Sequence, residues 1–194
     1  PEAVAQSGVS SKDIIGIGLD FTSCTMLPVD ENNVPLCLLV KNVSRPHAWV
    51  KLWKHHGAQK QADEINELLK KRGEIDNIQF GGKISSELLL PKILQIVEED
   101  PELYDEAASF LEVGDWLTQI LTNGRKRSGN LAGYKAMWTP ETGYPSKDFL
   151  LQLSPKLENL TEDKLGDDIT LAGQPVGYLT KDWAKELGLC AGIP

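Results

Sequence analysis

The 194-residue sequence has few cysteines and histidines, and those it has lack the spacing of common structural and metal sites. Its three cysteines are far apart and include no Cys-x-x-Cys pair, which argues against a disulfide framework or a zinc site of that kind. The three histidines have no Cys or carboxylate companions at ligand spacing, so no metal site is expected. Free thiols suit a reducing compartment, and we expect a cytoplasmic protein.

The sequence also lacks an excess of positive charge and any long apolar run. The net charge of −8 argues against a nucleic-acid partner, because phosphate binding requires clustered Lys and Arg. The densest basic cluster, residues 125–127, is predicted to lie on a solvated loop after a helix. No segment is long and apolar enough to cross a membrane, and the first eight residues lack the pattern of a signal peptide. Neither a nucleic-acid nor a membrane partner is therefore expected.

Motifs of nucleotide and ester chemistry are missing as well. The sequence has no Gly-x-x-x-x-Gly-Lys-Ser/Thr loop, no Gly-x-Gly-x-x-Gly and no Gly-x-Ser-x-Gly elbow. Gly16 and Gly18 lie inside a predicted strand instead of opening a helix, so they do not indicate a phosphate loop. The residue patterns alone therefore assign no reaction.

The stretch Ile14 to Asp30 is the most informative part of the chain. Its first six residues, IIGIGL, form a glycine-containing apolar run typical of a strand buried on both faces. Asp20, Thr22 and Ser23 then place polar groups at the carboxyl end of that strand, where open α/β sheets bind ligands. Hydroxyl groups can bind a polyol without adding charge. Turn formation is the alternative interpretation, because Ser and Thr are common in turns.

The remaining patterns predict helices alternating with a few strands, which defines an α/β protein. The hydrophobic fraction of 41% and the charged fraction of 25% are typical of one soluble globular domain with a substantial core. Strands are predicted at 14–19, 25–29, 34–40 and 131–138, with the second and third forming a hairpin. Helices are predicted at 1–7, 49–56, 59–72, 88–97, 101–108, 115–122, 146–153 and 180–187.

Several stretches together resemble the bacterial L-ribulokinases, a family within the FGGY carbohydrate kinases. The resemblance covers nearly the whole chain, with the same order and similar spacing. Its blocks are IGIGLDFTSCTMLPVD, PLCLLVKN, RPHAWVKLWKHH, GGKISSELLLPKILQI, EVGDWLTQILT and AGYKAMW. It is specific, because other FGGY kinases carry different residues after the first strand and lack the VKLWKHH block.

The resemblance implies an RNase H-like fold of the actin/hexokinase type. It implies that residues 1–194 form a single partial domain, the sugar-binding N-terminal domain, incomplete at both ends. The phosphate-approaching first hairpin and the second domain are expected to lie outside the chain. The catalytic aspartate, a general base, is expected just beyond Pro194, so the chain itself is expected to hold no catalytic residue. A missing hairpin would expose strand edges, which favours a homo-oligomer.

The implied activity is ATP-dependent phosphorylation of L-ribulose to L-ribulose 5-phosphate by the full-length enzyme, with Mg²⁺. ATP is expected to bind through the missing domain, and this chain alone is expected to bind neither ATP nor Mg²⁺ and to be inactive. Two alternatives remain open. One is a non-catalytic sugar-binding or interaction module that uses the same pocket. The other is a kinase whose substrate is D-ribulose or ribitol.

The resemblance also implies substrate-binding residues. Ser23, with Thr22 beside it, matches the position that contacts the sugar at the strand end. Trp53 matches a tryptophan whose ring packs against the sugar, and Lys135 matches a lysine that reaches sugar oxygens. Glu87 matches a pocket position of related sugar kinases. Simpler roles are core packing for Trp53, a strand-edge lysine for Lys135, and capping or surface exposure for Glu87.

Overall fold

The computed structural model describes residues 1–77 and 81–194, which form a helix-rich α/β structure. The α-helices are α1 (Glu2–Ser7), α2 (Gln59–Arg72), α3 (Leu89–Glu99), α4 (Pro101–Glu106), α5 (Val113–Thr122), α6 (Gly129–Lys135), α7 (Lys147–Leu153) and α8 (Lys181–Leu187). The strands are β1 (Met26–Val29), β2 (Ser109–Glu112), β3 (Arg127–Ser128) and β4 (Ile169–Thr170). Single turns of 3₁₀-helix occur at Ser11–Asp13, Leu36–Leu38, Val40–Asn42, Pro46–Ala48, Ile75–Asn77 and Pro155–Leu157, and a π-helical turn at Thr161–Leu165.

The strands form two small pairs. β1 and β2 are antiparallel, with Met26 opposite Glu112 and Val29 opposite Ser109. β3 and β4 are parallel. β1 therefore pairs with a strand about 80 residues later in the chain, instead of with the segment that directly follows it.

The turn after β1 forms as predicted, but the second strand of the hairpin does not. The Asp30 carboxylate accepts hydrogen bonds from the backbone N–H groups of Asn32 (2.8 Å) and Val34 (2.9 Å). The following apolar run forms the 3₁₀ turns Leu36–Leu38 and Val40–Asn42. Pro35 has no N–H to extend a ladder, and β2 provides the strand partner of β1.

Helices whose ends carry a capping side chain or a terminal glycine lie where the sequence predicted them. α2 ends at Arg72 before Gly73, whose φ of 68° suits glycine. The side chains of Ser146 and Thr180 cap α7 and α8 by accepting hydrogen bonds from backbone N–H groups. α3 begins at Leu89, so Pro91 lies in its first turn, where a missing N–H breaks no helical hydrogen bond.

The predicted strand at 14–19 is wrong. The segment is irregular, Ile15 is 84% exposed, and the Ile17 N–H donates to the Pro194 carbonyl at 2.9 Å. A doubly buried strand requires neighbouring strands on both sides. Within residues 1–77 and 81–194, no strand pairs with this segment.

The predicted helix at 49–56 is also wrong. The Lys51 backbone exchanges hydrogen bonds of 2.8 and 3.0 Å with Met26, the first residue of β1. This pairing holds the chain extended at Lys51. Trp49 and Trp53, expected on one buried helical face, are each 47% exposed.

The segment 131–138 forms helix instead of the predicted strand. α6 ends at Lys135, where the Ala136 N–H donates to the Ala132 carbonyl at 3.0 Å. Met137 then adopts a φ of 60°. Periodicity cannot distinguish a buried helix from a strand in such a short apolar run.

The core surrounds α3, whose residues from Leu89 to Val97 are all buried. Side chains from β1, β2, α2, α4 and α7 pack around it. The basic cluster is not wholly solvated as predicted, because Arg127 is only 4% exposed. Its guanidinium donates to the carbonyl oxygens of Phe110 (2.9 Å) and Lys164 (3.2 Å) and to the Ser109 hydroxyl (3.0 Å).

The three cysteines are free thiols, with Cys24 and Cys37 buried. In the part of the chain that the structure describes, no helix has the length and apolar character needed to cross a membrane.

Candidate functional site

Lys92 lies at the centre of the candidate site. It is carried by the buried helix α3 and is itself 0% exposed. Its ammonium donates hydrogen bonds to two backbone carbonyls, those of Cys24 and of Leu52, the latter at 3.0 Å. The two carbonyls are 28 positions apart in the sequence. Lys92 therefore holds the turn that contains Ser23 beside the segment that contains Trp53.

The turn at Thr22 to Cys24 has a constrained backbone. Cys24 is fully buried and has a φ of 70°, a conformation that residues other than glycine rarely adopt. The Thr25 hydroxyl donates to the Thr22 carbonyl at 3.3 Å, closing the turn. Thr22 is exposed and Ser23 is half-buried, so the Thr22 hydroxyl is open to solvent. Strained backbone of this type is concentrated at ligand sites.

Trp53 and Glu87 lie on the second side of the site. Trp53 follows Leu52, whose carbonyl Lys92 binds, and about half of the indole is exposed. The Glu87 carboxylate lies 3.9 Å from Nε2 of His56, three residues beyond Trp53. The Glu87 backbone N–H donates to the Ser85 hydroxyl at 3.3 Å, and α3 begins at Leu89 without a side-chain cap, so the Glu87 carboxylate does not cap this helix.

Lys135 approaches from the end of α6. It is half-buried, with Nζ 4.2 Å from the centroid of the Tyr134 ring. Within residues 1–77 and 81–194, no carboxylate lies within 4 Å of this ammonium. The charges of Lys135 and Glu87 both affect the pKa of the Cys24 thiol, which burial raises to about 12.

Glu112, at the junction of β2 and α5, is a second buried charge in this cluster. It is 3% exposed, and its Oε1 has no hydrogen-bond partner among the described residues. Burial raises its pKa to about 7, against the opposing effect of the positive charge on Lys92. Burial likewise lowers the pKa of Lys92. Burial thus disfavours the charged form of both groups, and their opposite charges partly offset that cost.

Sequence reasoning missed Lys92 and Glu112. Each had a signal, because each is a charged residue inside an apolar run: LLPKILQIV around Lys92 and SFLEV around Glu112. Lys and Glu are almost never fully buried unless they are paired. The structure places Ser23 and Trp53 beside the two carbonyls that Lys92 binds, and the Glu87 carboxylate 3.9 Å from Nε2 of His56. A sugar-contacting role for these residues and for Lys135 stays a prediction.

The raised pKa of Glu112 predicts a specific pH dependence of stability. A carboxyl whose folded-state pKa lies above its ordinary value of 4.5 stabilises the fold below that value, and the stabilisation is lost as pH rises through about 7. We expect Glu112→Gln to reduce the fall in unfolding free energy between pH 5 and pH 8 by about 2 kcal/mol. Denaturant titrations at both pH values measure this difference. Parallel pH profiles of Glu112→Gln and the unaltered protein would contradict it.

A groove of about 360 Å³ begins where the Thr22 turn begins, because Asp20 and Phe21 line it. Its other walls come from α5, the start of α6, residues 173–179 and the last two residues, and they include Thr118 and Gln174. The five residues implied by the resemblance are not part of its lining.

A metal-binding group is not found in the described parts of the chain. In residues 1–77 and 81–194, no three His, Cys, Asp or Glu side chains are placed to hold a metal ion together. No residue described here can therefore be assigned to Mg²⁺.

Comparison with known proteins gives one consistent result. No family model matches the sequence. The chain is 50% identical over 192 residues to the ribulokinase of Bacillus licheniformis, covering 99% of this chain and 35% of that protein. It is 45% identical over 193 residues to the ribulokinase of Mycolicibacterium smegmatis, covering all of this chain and 34% of that one. The chain thus spans about a third of the length of the curated relatives it matches.

A solved xylulose kinase from Brucella ovis superimposes with a TM-score of 0.71 over 98% of this chain and 34% of that structure, at 16% identity. This similarity shows the fold, which is that of one section of an FGGY carbohydrate kinase of the actin/hexokinase type. The fold class predicted from the resemblance is confirmed. Within that class, the chain is homologous to one section of the ribulokinases.

Proposed function

We propose that this chain is the sugar-binding part of an enzyme that transfers the γ-phosphoryl group of ATP to L-ribulose, forming L-ribulose 5-phosphate in the cytoplasm. One observation carries the proposal. The two hydrogen bonds of Lys92 join the Ser23 turn to the Trp53 segment, and the Glu87 carboxylate lies 3.9 Å from Nε2 of His56, three residues beyond Trp53. The identity of 45–50% to curated ribulokinases supports the choice of sugar.

The exposed side chains supply the contacts that a ketopentose requires. The hydroxyls of Thr22 and Ser23 can donate to and accept from sugar hydroxyls. The half-exposed indole of Trp53 offers an apolar face to the C–H side of the sugar. Lys135 donates charge-assisted hydrogen bonds to sugar oxygens, and Glu87 accepts from sugar hydroxyls. The site thus combines one apolar wall with donors and acceptors around it.

In the proposed reaction, the terminal hydroxyl oxygen of the bound sugar attacks the γ-phosphorus of ATP. The bond from that phosphorus to the β–γ bridging oxygen breaks, and ADP leaves with the bond's electron pair. The hydroxyl proton passes to a general base, which we place outside this chain. Residues of this chain orient the hydroxyl, and such positioning contributes much of the catalysis of phosphoryl transfer.

We assign ATP and Mg²⁺ to the rest of the enzyme. For Mg²⁺, the described residues offer no trio of metal-binding side chains, and the two lysines of the candidate sugar site would repel a cation. For ATP, the sequence has no phosphate-binding loop motif. Bound ATP supplies the transferred phosphoryl group, and Mg²⁺ neutralises charge on its phosphates. This chain's residues act on the sugar.

Trp53→Ala tests the proposed sugar wall. Removing the ring should raise KM for the sugar about fivefold, because an aromatic contact contributes about 1 kcal/mol. KM for ATP should stay within about twofold, since Trp53 faces the sugar alone. Steady-state kinetics of the full-length enzyme, varying each substrate in turn, measure both constants.

Trp49→Ala is the matched control. Trp49 is equally exposed at 47% and lies four residues earlier, but its indole N–H donates to the Val43 carbonyl at 3.0 Å. We expect little change in KM for the sugar in this variant. Equal increases in both constants for Trp53→Ala would show a general packing role and contradict a sugar contact.

A further inference from the structure

We propose that Lys92 is a positioning residue, whose ammonium clamps the two loops that carry the sugar-contacting side chains. This inference rests on the proposed function, because it assigns Lys92 to the same site. The clamp is specified by two contacts, from Nζ to the Cys24 carbonyl and from Nζ to the Leu52 carbonyl. Ser23 and Trp53 are the immediate neighbours of these two carbonyls in the chain.

Lys92 is an unusual residue at its position. It occupies the first turns of a helix whose other residues up to Val97 are also buried, and an apolar side chain there would simply extend the core. Burying a lysine costs free energy unless its donors are satisfied. Here two donors bind backbone carbonyls rather than a carboxylate. A residue that only stabilised the core would not need these two bonds.

The loops also have features that require such a bond. Cys24 holds a φ of 70°, which costs about 1 kcal/mol for a residue other than glycine. The segment around Trp53 does not form the helix that its sequence pattern predicts, and its two tryptophans are half-exposed. The backbone hydrogen bonds between Met26 and Lys51 join the two segments at one point, and outside that bridge neither loop belongs to regular secondary structure. A shared ammonium fixes both relative to α3 and to each other.

Glu112 completes the arrangement. Its carboxyl lowers the cost of the buried ammonium, because the two groups carry opposite charges. The positioning unit consists of Lys92, which binds the Cys24 and Leu52 carbonyls, and Glu112, whose charge opposes that of Lys92.

The test uses the full-length enzyme with Lys92→Met and Lys92→Gln. Lys164→Met is the matched control, because Lys164 is a half-buried lysine whose Nζ also donates to a backbone carbonyl, that of Ala107. We expect Lys92→Met to raise KM for the sugar at least about tenfold while KM for ATP stays within about twofold. Lys92→Gln keeps a neutral amide donor on a shorter side chain and should show a smaller increase. Lys164→Met should lower Tm slightly and leave both constants unchanged.

Hydrogen exchange gives a second measurement, made on the unaltered enzyme and on Lys92→Gln. In the unaltered enzyme, segments 21–26 and 50–54 should gain protection together when L-ribulose is added. In Lys92→Gln without sugar, both segments should exchange faster than in the unaltered enzyme. Unequal protection of the two segments would overturn the clamp, even where Lys92→Met fails to fold. An unchanged sugar KM in a folded Lys92→Met enzyme would overturn it as well.

These outcomes separate the inference from the proposed function. If the unaltered enzyme does not phosphorylate L-ribulose, the proposed function fails. Faster exchange of both segments in Lys92→Gln would still support the structural clamp in that case. If the enzyme is active and both KM values are unchanged in Lys92→Met, the inference alone fails.

Discussion

Lys135→Met should lower kcat/KM for the sugar about 100-fold, because a charge-assisted hydrogen bond to substrate contributes about 1.5–3 kcal/mol. The structure leaves this ammonium available. Lys135 ends α6 half-buried, and its nearest recorded contact is the Tyr134 ring at 4.2 Å. Replacing Lys135 should leave KM for ATP nearly unchanged. Tm should fall little, because among residues 1–77 and 81–194 the Lys135 ammonium makes no hydrogen bond that would be lost. Steady-state kinetics and thermal melts of the full-length enzyme measure these effects.

Lys164→Met again provides the control for this prediction. Lys164 is also half-buried and also lies over an aromatic ring, with Nζ 4.8 Å from the Tyr104 centroid. It packs on the opposite side of the core, against Ala107. We expect Lys164→Met to retain kcat/KM within about twofold. A similar loss of kcat/KM in both variants would show that Lys135 acts through general stability.

Arg127→Met should lower the free energy of unfolding by about 3 kcal/mol, because it removes one partner from a buried charge network. The guanidinium is 4% exposed, and it binds Ser109 and the carbonyls of Phe110 and Lys164. Burial raises the pKa of Asp115 to about 6, and the positive charge of Arg127 opposes that rise. Without Arg127, two carbonyls lose a donor and Asp115 loses its nearby positive charge.

Lys126→Met is the matched control, because Lys126 is the exposed neighbour of Arg127. Its loss should change the free energy of unfolding by less than about 0.5 kcal/mol. Denaturant titration of both variants at pH 7 gives the comparison. Equal stabilities of Arg127→Met and Lys126→Met would mean that the buried guanidinium contributes nothing net.

The sequence predicted best those elements whose signals are local. α2, α7 and α8 have a capping side chain or a terminal glycine at the expected position. The Asp30 turn formed for the same reason, because its hydrogen bonds join residues only two and four positions apart. Such contacts depend on neighbours in the chain and can be inferred from a few residues.

Elements that depend on distant partners were predicted poorly. The 14–19 run has a strand pattern, yet no strand among the described residues pairs with it. The 49–56 run has a helical pattern, but Lys51 pairs with Met26 and holds the chain extended. Arg127 was expected in solvent, and contacts from β2 and residue 164 bury it. None of these partners can be inferred from the local residues.

The residues of the candidate site also fall into those that local sequence indicated and those that it did not. Hydroxyl residues after an apolar run indicated a polar site near Ser23, but Trp53, Glu87 and Lys135 were implied by family resemblance alone. Lys92 and Glu112 carried a recognisable signal, a charge within an apolar run. Their role could not be inferred, because it depends on the carbonyls of Cys24 and Leu52 lying together.

The central claim is that this chain forms the ketopentose site of an ATP-dependent kinase. The most direct measurement is ADP formation by the full-length enzyme with L-ribulose, D-ribulose and ribitol, each at several concentrations. We predict the highest kcat/KM for L-ribulose, with Lys135→Met selectively losing that activity. Preference for D-ribulose or ribitol would contradict the assigned substrate, and no ADP formation with any of them would contradict the kinase itself.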